Sequence, residues 1–188
     1  MRIEEPGNAR LGSESGRPGQ ELDREVGEAF RSVLGHHPTG VTAVTALDGE
    51  PVGMTIGSFC SISLDPMLVG FFVERGSSTW PRIRRAGTFA VNVLAEDQHE
   101  LCRIFSTRGT DRFAHARWSP GLDGVPLLDG AVAWIECKIR QSVCAGDHEL
   151  AIGAVRRFQE GHPGRPIVFY RGEYSQLAQP FGRPEGMC

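Results

Sequence analysis

His148 sits in the stretch AGDHELAIGAV, residues 145 to 155, directly after a Gly-Asp pair. It shares an alternating face with Leu150, Ile152 and Ala154, so a strand beginning there would carry the imidazole at its head. An imidazole in such a place can hold a polar ring or move a proton near neutral pH. It can equally be a strand residue satisfied by a backbone carbonyl, and residue chemistry alone leaves both roles open. His36 and His37 end a helical pattern, His99, His115 and His162 fall in polar or loop contexts, and no H-x-x-x-H pair occurs.

Three further stretches carry polar groups at close spacing. In GMTIGSFCSISLDP, residues 53 to 66, the hydroxyls of Thr55, Ser58, Ser61 and Ser63 alternate with Gly53 and Gly57. Read as an extended loop, this segment can bring amides and hydroxyls against a flat polar heterocycle. Its hydroxyls could instead serve only their own backbone. In ERGSSTWPRI, residues 74 to 83, Ser78 and Thr79 precede a helix start, with Arg75, Arg82, Arg84 and Arg85 nearby. That is either a phosphate clamp or an N-cap beside a solvated basic face. IFSTRGTDRF, residues 104 to 113, repeats the theme with Ser106, Thr107, Arg108 and Arg112.

Other chemistries find little footing. Lys138 is the single lysine and no G-x-x-x-x-G-K-[ST] occurs, which removes a P-loop. There is no G-x-G-x-x-G and no G-x-S-x-G, so neither a Rossmann fingerprint nor a hydrolase elbow is present. The five cysteines (60, 102, 137, 144 and 188) show no C-x-x-C spacing, so a disulfide framework is ruled out and no metal site is expected. A formal charge of −3 argues against a nucleic-acid partner, and no apolar run is long enough to span a membrane. With reduced thiols and no signal peptide, a cytoplasmic protein is expected.

The elements that must position these residues are mostly short strands. GVTAVTAL, PMLVGFFV, TFAVNVL and PIVFYRGEYSQL read as strands, and Asp48-Gly49 marks a hairpin. AVAWIECKIRQSV and HELAIGAVRRFQE form the longest hairpin, with Gly146 at a position needing positive φ. Short helices are expected in SSTWPRIRRAG, with Pro81 in the first turn, and in AEDQHELCRIFS. A helix capped by Asp23 should carry the stripe Val26, Phe30, Val33 and Leu34 and stop near Gly35. Residues 1–21 read as a disordered arm, 22–178 as one domain and 179–188 as a tail. The fold class is mainly β, a barrel or Greek key with a few short helices.

The blocks FRSVLGHHPTGVTAVTA, GMTIGSFCSISLDPMLVGFFV, SSTWPRIRRAGTFAVNVL, LCRIFS, DRF, GDHELAIGAV and VFYRGEY stand in the order seen in the flavin reductase-like family. The chain resembles that family over about residues 28 to 177. These are NAD(P)H:flavin oxidoreductases that serve as reductase components of two-component flavin-dependent monooxygenases. The resemblance implies a Greek-key split β-barrel (an FMN-binding split barrel), assembled as a homodimer, with FMN or FAD held non-covalently and NADH or NADPH as hydride donor. It implies that reduced flavin passes to a partner monooxygenase. Carried over by motif, Thr55, Ser58, Phe59, Cys60 and Ser61 would line the flavin. Ser78 and Thr79 would hold its phosphate, and Phe105 and Ser106 would touch the same ligand. Asp147 and His148 would face the nicotinamide, His148 as the candidate catalytic residue, with Tyr174 assisting. Arg156 and Arg157 could meet a 2′-phosphate. Asp65-Pro66-Met67 replaces the frequent Asp-Pro-Pro and Gly57 a frequent polar residue, which leaves FMN and FAD both open. A flavin-binding electron carrier and a pyridoxal phosphate oxidase-like protein are the alternatives.

Overall fold

The computed structural model describes residues 18–178. Residues 1–17 of the expected arm and the expected tail from 179 lie outside them. Helix α1 (Pro18–Leu34) is a unit of its own. It starts earlier than Asp23 implied, because Pro18 is tolerated in a first turn and Gln20, Glu21 and Leu22 all favour helix. Asp23 therefore lies inside the helix instead of capping it. The stripe of Val26, Phe30, Val33 and Leu34 is solvent-exposed.

From His37 onward the chain is strand-dominated. In order come β1 (Thr39–Gly40), β2 (Thr42–Asp48), β3 (Glu50–Ile56), β4 (Cys60–Leu64) and β5 (Met67–Glu74). Helix α2 (Trp80–Ala86), β6 (Thr88–Val93) and helix α3 (His99–Ser106) follow. Then come β7 (Trp118–Pro120), β8 (Pro126–Leu128), β9 (Ala133–Ala145), β10 (His148–Glu160), β11 (Ile167–Tyr170) and β12 (Glu173–Gln176). Seven strands make one antiparallel sheet in the order β3-β2-β6-β9-β10-β5-β4. A smaller sheet runs β1-β11-β12, and β7 pairs with β8.

The order of the large sheet explains its curl. Its two edge strands, β3 and β4, are consecutive in sequence and joined only by Gly57, Ser58 and Phe59. Three residues reach about 10 Å when extended, so the edges must come near each other. They do not pair, and the sheet is a barrel left open along one seam. Ser58 in that turn continues the β4–β5 pairing: its Oγ donates to the Phe72 carbonyl at 3.1 Å and accepts from the Phe72 N–H at 2.9 Å. The segment read as a loop over 53–66 is thus two strand pieces around a three-residue turn.

Alternating apolar residues fill the barrel. Phe71 and Phe89 are fully buried and meet edge to face at 5.5 Å, with Trp80 packed on Phe71 at 5.8 Å. Each such ring contributes about 2–3 kcal/mol of burial. A second cluster of Val41, Leu94, Cys102, Phe105, Leu128 and Ile167 seats α3 against the sheet. Buried Asn92 ties the two sides together, donating to the Ala43 carbonyl at 2.9 Å and accepting from Leu128 N–H at 2.7 Å. The β9–β10 hairpin turns through Gly146 and Asp147, with Gly146 at φ 64° in the first turn position. This is the positive φ that the sequence demanded of that glycine.

Candidate functional site

A cleft lies beside the turn that joins β3 to β4. A cavity of about 340 Å³ is walled by Met54–Ile56 of β3 and the following Gly57, Phe72–Glu74 of β5, Ser77–Thr79, and Phe105 and Ser106 at the end of α3. Arg108 and Arg112 complete it. Thr55, Ser78, Thr79, Phe105 and Ser106 are therefore brought together, although up to 51 residues separate them in sequence. Its lining mixes Met54, Ile56, Phe72, Val73 and Phe105 with the polar side chains, of which Arg112 reaches Thr79.

Several hydroxyls turn out to serve backbone, as the blander reading of them allowed. Thr55 Oγ1 and Ser106 Oγ both donate to the Cys102 carbonyl, at 3.0 and 2.7 Å. Ser77 Oγ accepts from the Trp80 N–H at 3.2 Å, which does the capping expected of Ser78 or Thr79. Thr79 makes no side-chain cap, and α2 is only seven residues long. Its hydroxyl instead accepts from Arg112 Nη1 at 2.8 Å. Ser78 has no protein partner for its hydroxyl among the described residues.

Arg112 is the residue that sequence reading underweighted. It lies in a turn after α3, and nothing in its neighbours distinguishes it from Arg108. Its Nη1 also donates to the Gly53 carbonyl at 2.5 Å, and Nε and Nη2 donate to the Thr107 carbonyl at 3.1 and 2.9 Å. Four of five donors are thus fixed, which leaves one N–H and a rigidly placed positive charge. Partial burial lowers its pKa, yet a guanidinium stays charged.

Three of the four arginines that sequence proximity suggested as a clamp, Arg82, Arg84 and Arg85, are committed elsewhere. Arg82 and Arg85 grip Asp48, at 3.2 and 2.6 Å, and hold its carboxyl down to about 2. Arg84 lies 3.7 Å from Glu149, and Arg108 pairs with Glu74 at 2.9 Å. Arg156 and Arg157 are ion-paired with Asp123 and Glu136, which removes them as free partners for a 2′-phosphate.

His148 stands beside the cleft at the tip of the long hairpin. It faces Glu74 across the β10–β5 ladder, and Glu74 is a wall residue of the cavity. The Asp147 carbonyl accepts from the Arg75 N–H at 3.0 Å, which anchors the tip to the end of β5. Asp147 Oδ1 lies 2.7 Å from His148 Nδ1, and that contact lowers the Asp147 pKa. Glu149 braces the strand from behind: Ser142 Oγ and Trp80 Nε1 donate to it at 2.6 and 3.0 Å, and they hold its carboxyl low. Imidazole Nε2 is thereby the ring nitrogen left for a ligand.

The other expected residues lie outside this cavity. Ser58 and Phe59 form the adjoining turn, with Phe59 packed on the core, and Cys60 and Ser61 sit exposed on β4 opposite Gly70 and Val69. Tyr174 lines a different cavity with Phe169, His99 and Arg103. Burial pushes the Cys102 and Cys137 thiols up to about 11 and about 12, so neither is a nucleophile. Among the described residues no cluster of His, Cys, Asp and Glu is arranged to hold a metal ion, and no helix is long and apolar enough to cross a membrane.

The cavity's chemistry suits a flat apolar heterocycle with an anionic tail. Gly53 shows how closely backbone and ring pack at its base, since an added Cβ would lie 2.6 Å from Phe105 Cε1. Comparison with known proteins gives the family. Residues 34–178 match the model of the flavin reductase-like domain. A flavin reductase of Pseudomonas putida is 45% identical over 151 residues, covering 79% of this chain and 89% of the relative. The reductase subunit HsaB of a flavin-dependent monooxygenase from Rhodococcus jostii is 44% identical, covering 79% and 76%. A crystal structure of a homologue of nitrilotriacetate monooxygenase component B from Mycobacterium thermoresistibile superposes with a TM-score of 0.80. It is 36% identical and covers 89% of this chain and 96% of the other.

Proposed function

This chain belongs to the flavin reductase-like family, and from that premise we propose that it passes hydride from a reduced nicotinamide dinucleotide to flavin and supplies reduced flavin to a partner monooxygenase. The observation that carries the reading is the cleft itself: a slot of mixed lining that holds Ser78, Thr79 and Arg112, with the Asp147-His148 tip at its side.

Bound flavin would supply the hydride-accepting centre, so the protein needs no nucleophile of its own. Met54, Ile56, Phe72 and Phe105 would hold the ring system, and Ser78, Thr79 and Arg112 the phosphate. Thr55 and Ser106 fix the wall through the Cys102 carbonyl. Ser58, Phe59, Cys60 and Ser61 would meet the flavin from the adjoining turn and the exposed start of β4. His148, oriented by Asp147, would position the nicotinamide; correct stacking of two reactants lowers a barrier by up to about 7 kcal/mol. The bound species are FMN or FAD and NADH or NADPH. The working form is a homodimer in the cytoplasm, in which Tyr174 completes a site from its own cavity.

The test is oxidation of NADH by the purified chain with and without added flavin. Flavin-dependent turnover supports the reading; background rates with both FMN and FAD refute it.

A further inference from the structure

Glu149 follows His148 on β10, and successive strand residues point to opposite faces. Its side chain is only 18% exposed, and one carboxylate oxygen, Oε2, gathers three partners. Trp80 Nε1 donates to it at 3.0 Å and Ser142 Oγ at 2.6 Å, while Arg84 Nη1 stands 3.7 Å away. Trp80 and Arg84 lie four residues apart on α2, so one face of that helix meets one carboxylate. The indole is fixed independently of Glu149. It is 2% exposed, packs edge to face on Phe71, and its backbone N–H donates to Ser77 Oγ.

Trp80 directly follows Thr79, whose hydroxyl accepts from Arg112 in the cleft. The Trp80–Glu149 bond therefore joins the immediate neighbours of Thr79 and His148 across 69 residues of sequence. No other side chain of the hairpin tip, 145–149, hydrogen-bonds outside the hairpin; Asp147 and His148 contact each other. Backbone bonds tie the tip to β5, through the ladder and the Arg75 N–H, and Glu149 alone ties it to α2. A buried indole N–H needs an acceptor, and a backbone carbonyl would meet that need. A carboxylate beside His148 makes a shorter, stronger and more directional link.

We propose that Glu149 is a positioning residue for hydride transfer, which locks the His148 tip to α2 and so sets the nicotinamide at a fixed place relative to the flavin. It acts through His148 and touches neither ligand. The inference rests on the reading above, in which His148 holds the nicotinamide and Ser78 and Thr79 the flavin phosphate. Without the lock His148 keeps its place in the ladder, but its end of the hairpin is held by β5 alone. Two rings that must react at contact distance are sensitive to such loosening, since a misplacement of about 1 Å can cost on the order of 100-fold in rate.

Steady-state NADH oxidation by the full chain with FMN, beside FMN titration, tests this. Glu149→Ala should lower kcat/KM for NADH about fivefold, the loss of one hydrogen bond, with the FMN Kd within about twofold of wild type. Glu149→Gln keeps an acceptor for Trp80 and Ser142 and should recover most of that loss. Trp80→Phe keeps a ring on Phe71 but lacks the N–H; it should lower kcat/KM about threefold, and it carries the test if Glu149→Ala does not fold. In the His148→Ala background, Glu149→Ala and Trp80→Phe should each add less than about twofold. Full multiplication of the losses overturns the inference, since Glu149 then acts independently of His148. So does an FMN Kd that rises as much as kcat/KM falls, or kinetics unchanged in both Glu149→Ala and Trp80→Phe. Wild-type chain without flavin-dependent turnover refutes the reductase reading and takes this inference with it. A His148→Ala variant with wild-type kinetics leaves the reductase reading standing and overturns the inference alone.

Discussion

Arg112 donates to Thr79 Oγ1 at 2.8 Å across 33 residues of sequence, and Thr79 makes no side-chain cap on the helix it precedes. The pair places a cation and a hydroxyl in the wall of the cleft. Replacing Arg112 with Ala should weaken FMN binding by about 2 kcal/mol, roughly 30-fold, the magnitude of a hydrogen bond to a charged group. Riboflavin, which lacks the phosphate, should bind almost as before. Titration of both ligands into both proteins checks this, and an equal loss for riboflavin would contradict a phosphate role.

Gly53 has no room for a side chain. A Cβ there would meet Phe105 at 2.6 Å and Thr45 Cγ2 at 3.1 Å. Gly53→Ala should therefore destabilise the fold by about 1–3 kcal/mol through overpacking, and should shift a ring that walls the flavin slot. Denaturation midpoints should drop and flavin affinity should fall with them. Adding Phe105→Leu to Gly53→Ala should recover part of both.

His148 and Asp147 are proposed to act on the other substrate. His148→Ala should raise the KM for NADH about tenfold with little change in flavin Kd, since a positioning hydrogen bond amounts to about 1–1.5 kcal/mol. Asp147→Asn should shift KM in the same direction but less, because the imidazole loses its orienting carboxylate and keeps its place on β10. Steady-state kinetics beside flavin titration separates this from a structural role, in which flavin affinity would fall as well.

The Asp48 turn supplies a pH dependence. Arg85 and Arg82 hold its carboxyl at about 2 against an ordinary 3.8. A depressed carboxyl contributes stability that is present above about pH 4 and lost as pH falls towards 2. Asp48→Asn should accordingly lower the Tm at pH 7, and the gap from wild type should close on acidification. Thermal melts at pH 7, 4 and 2.5 give the comparison.

Local chemistry carried the hairpins and most strands. Gly146-Asp147 and Asp48-Gly49 dictate their turns from two residues, and the apolar face of β10 from Leu150 to Ala154 is visible in the chain itself. The site was less legible wherever its partners are distant in sequence. Arg82, Arg84 and Arg85 looked like an anion clamp because their neutralising carboxylates, Asp48 and Glu149, lie 34 to 65 residues away. Arg112 looked ordinary for the same reason, since its hold on Gly53 and Thr79 exists only after α3 docks on the seam. Tyr174 follows β12 into the smaller sheet, which takes it to another cavity. Ser77, one residue before the expected pair, took the capping role that would have occupied Ser78 or Thr79.

The central claim is tested most directly by the rate of NADH oxidation at 340 nm, measured under steady state with FMN, with FAD and without flavin. The account expects turnover that saturates with flavin. Oxidation that stays at background with both flavins would contradict it.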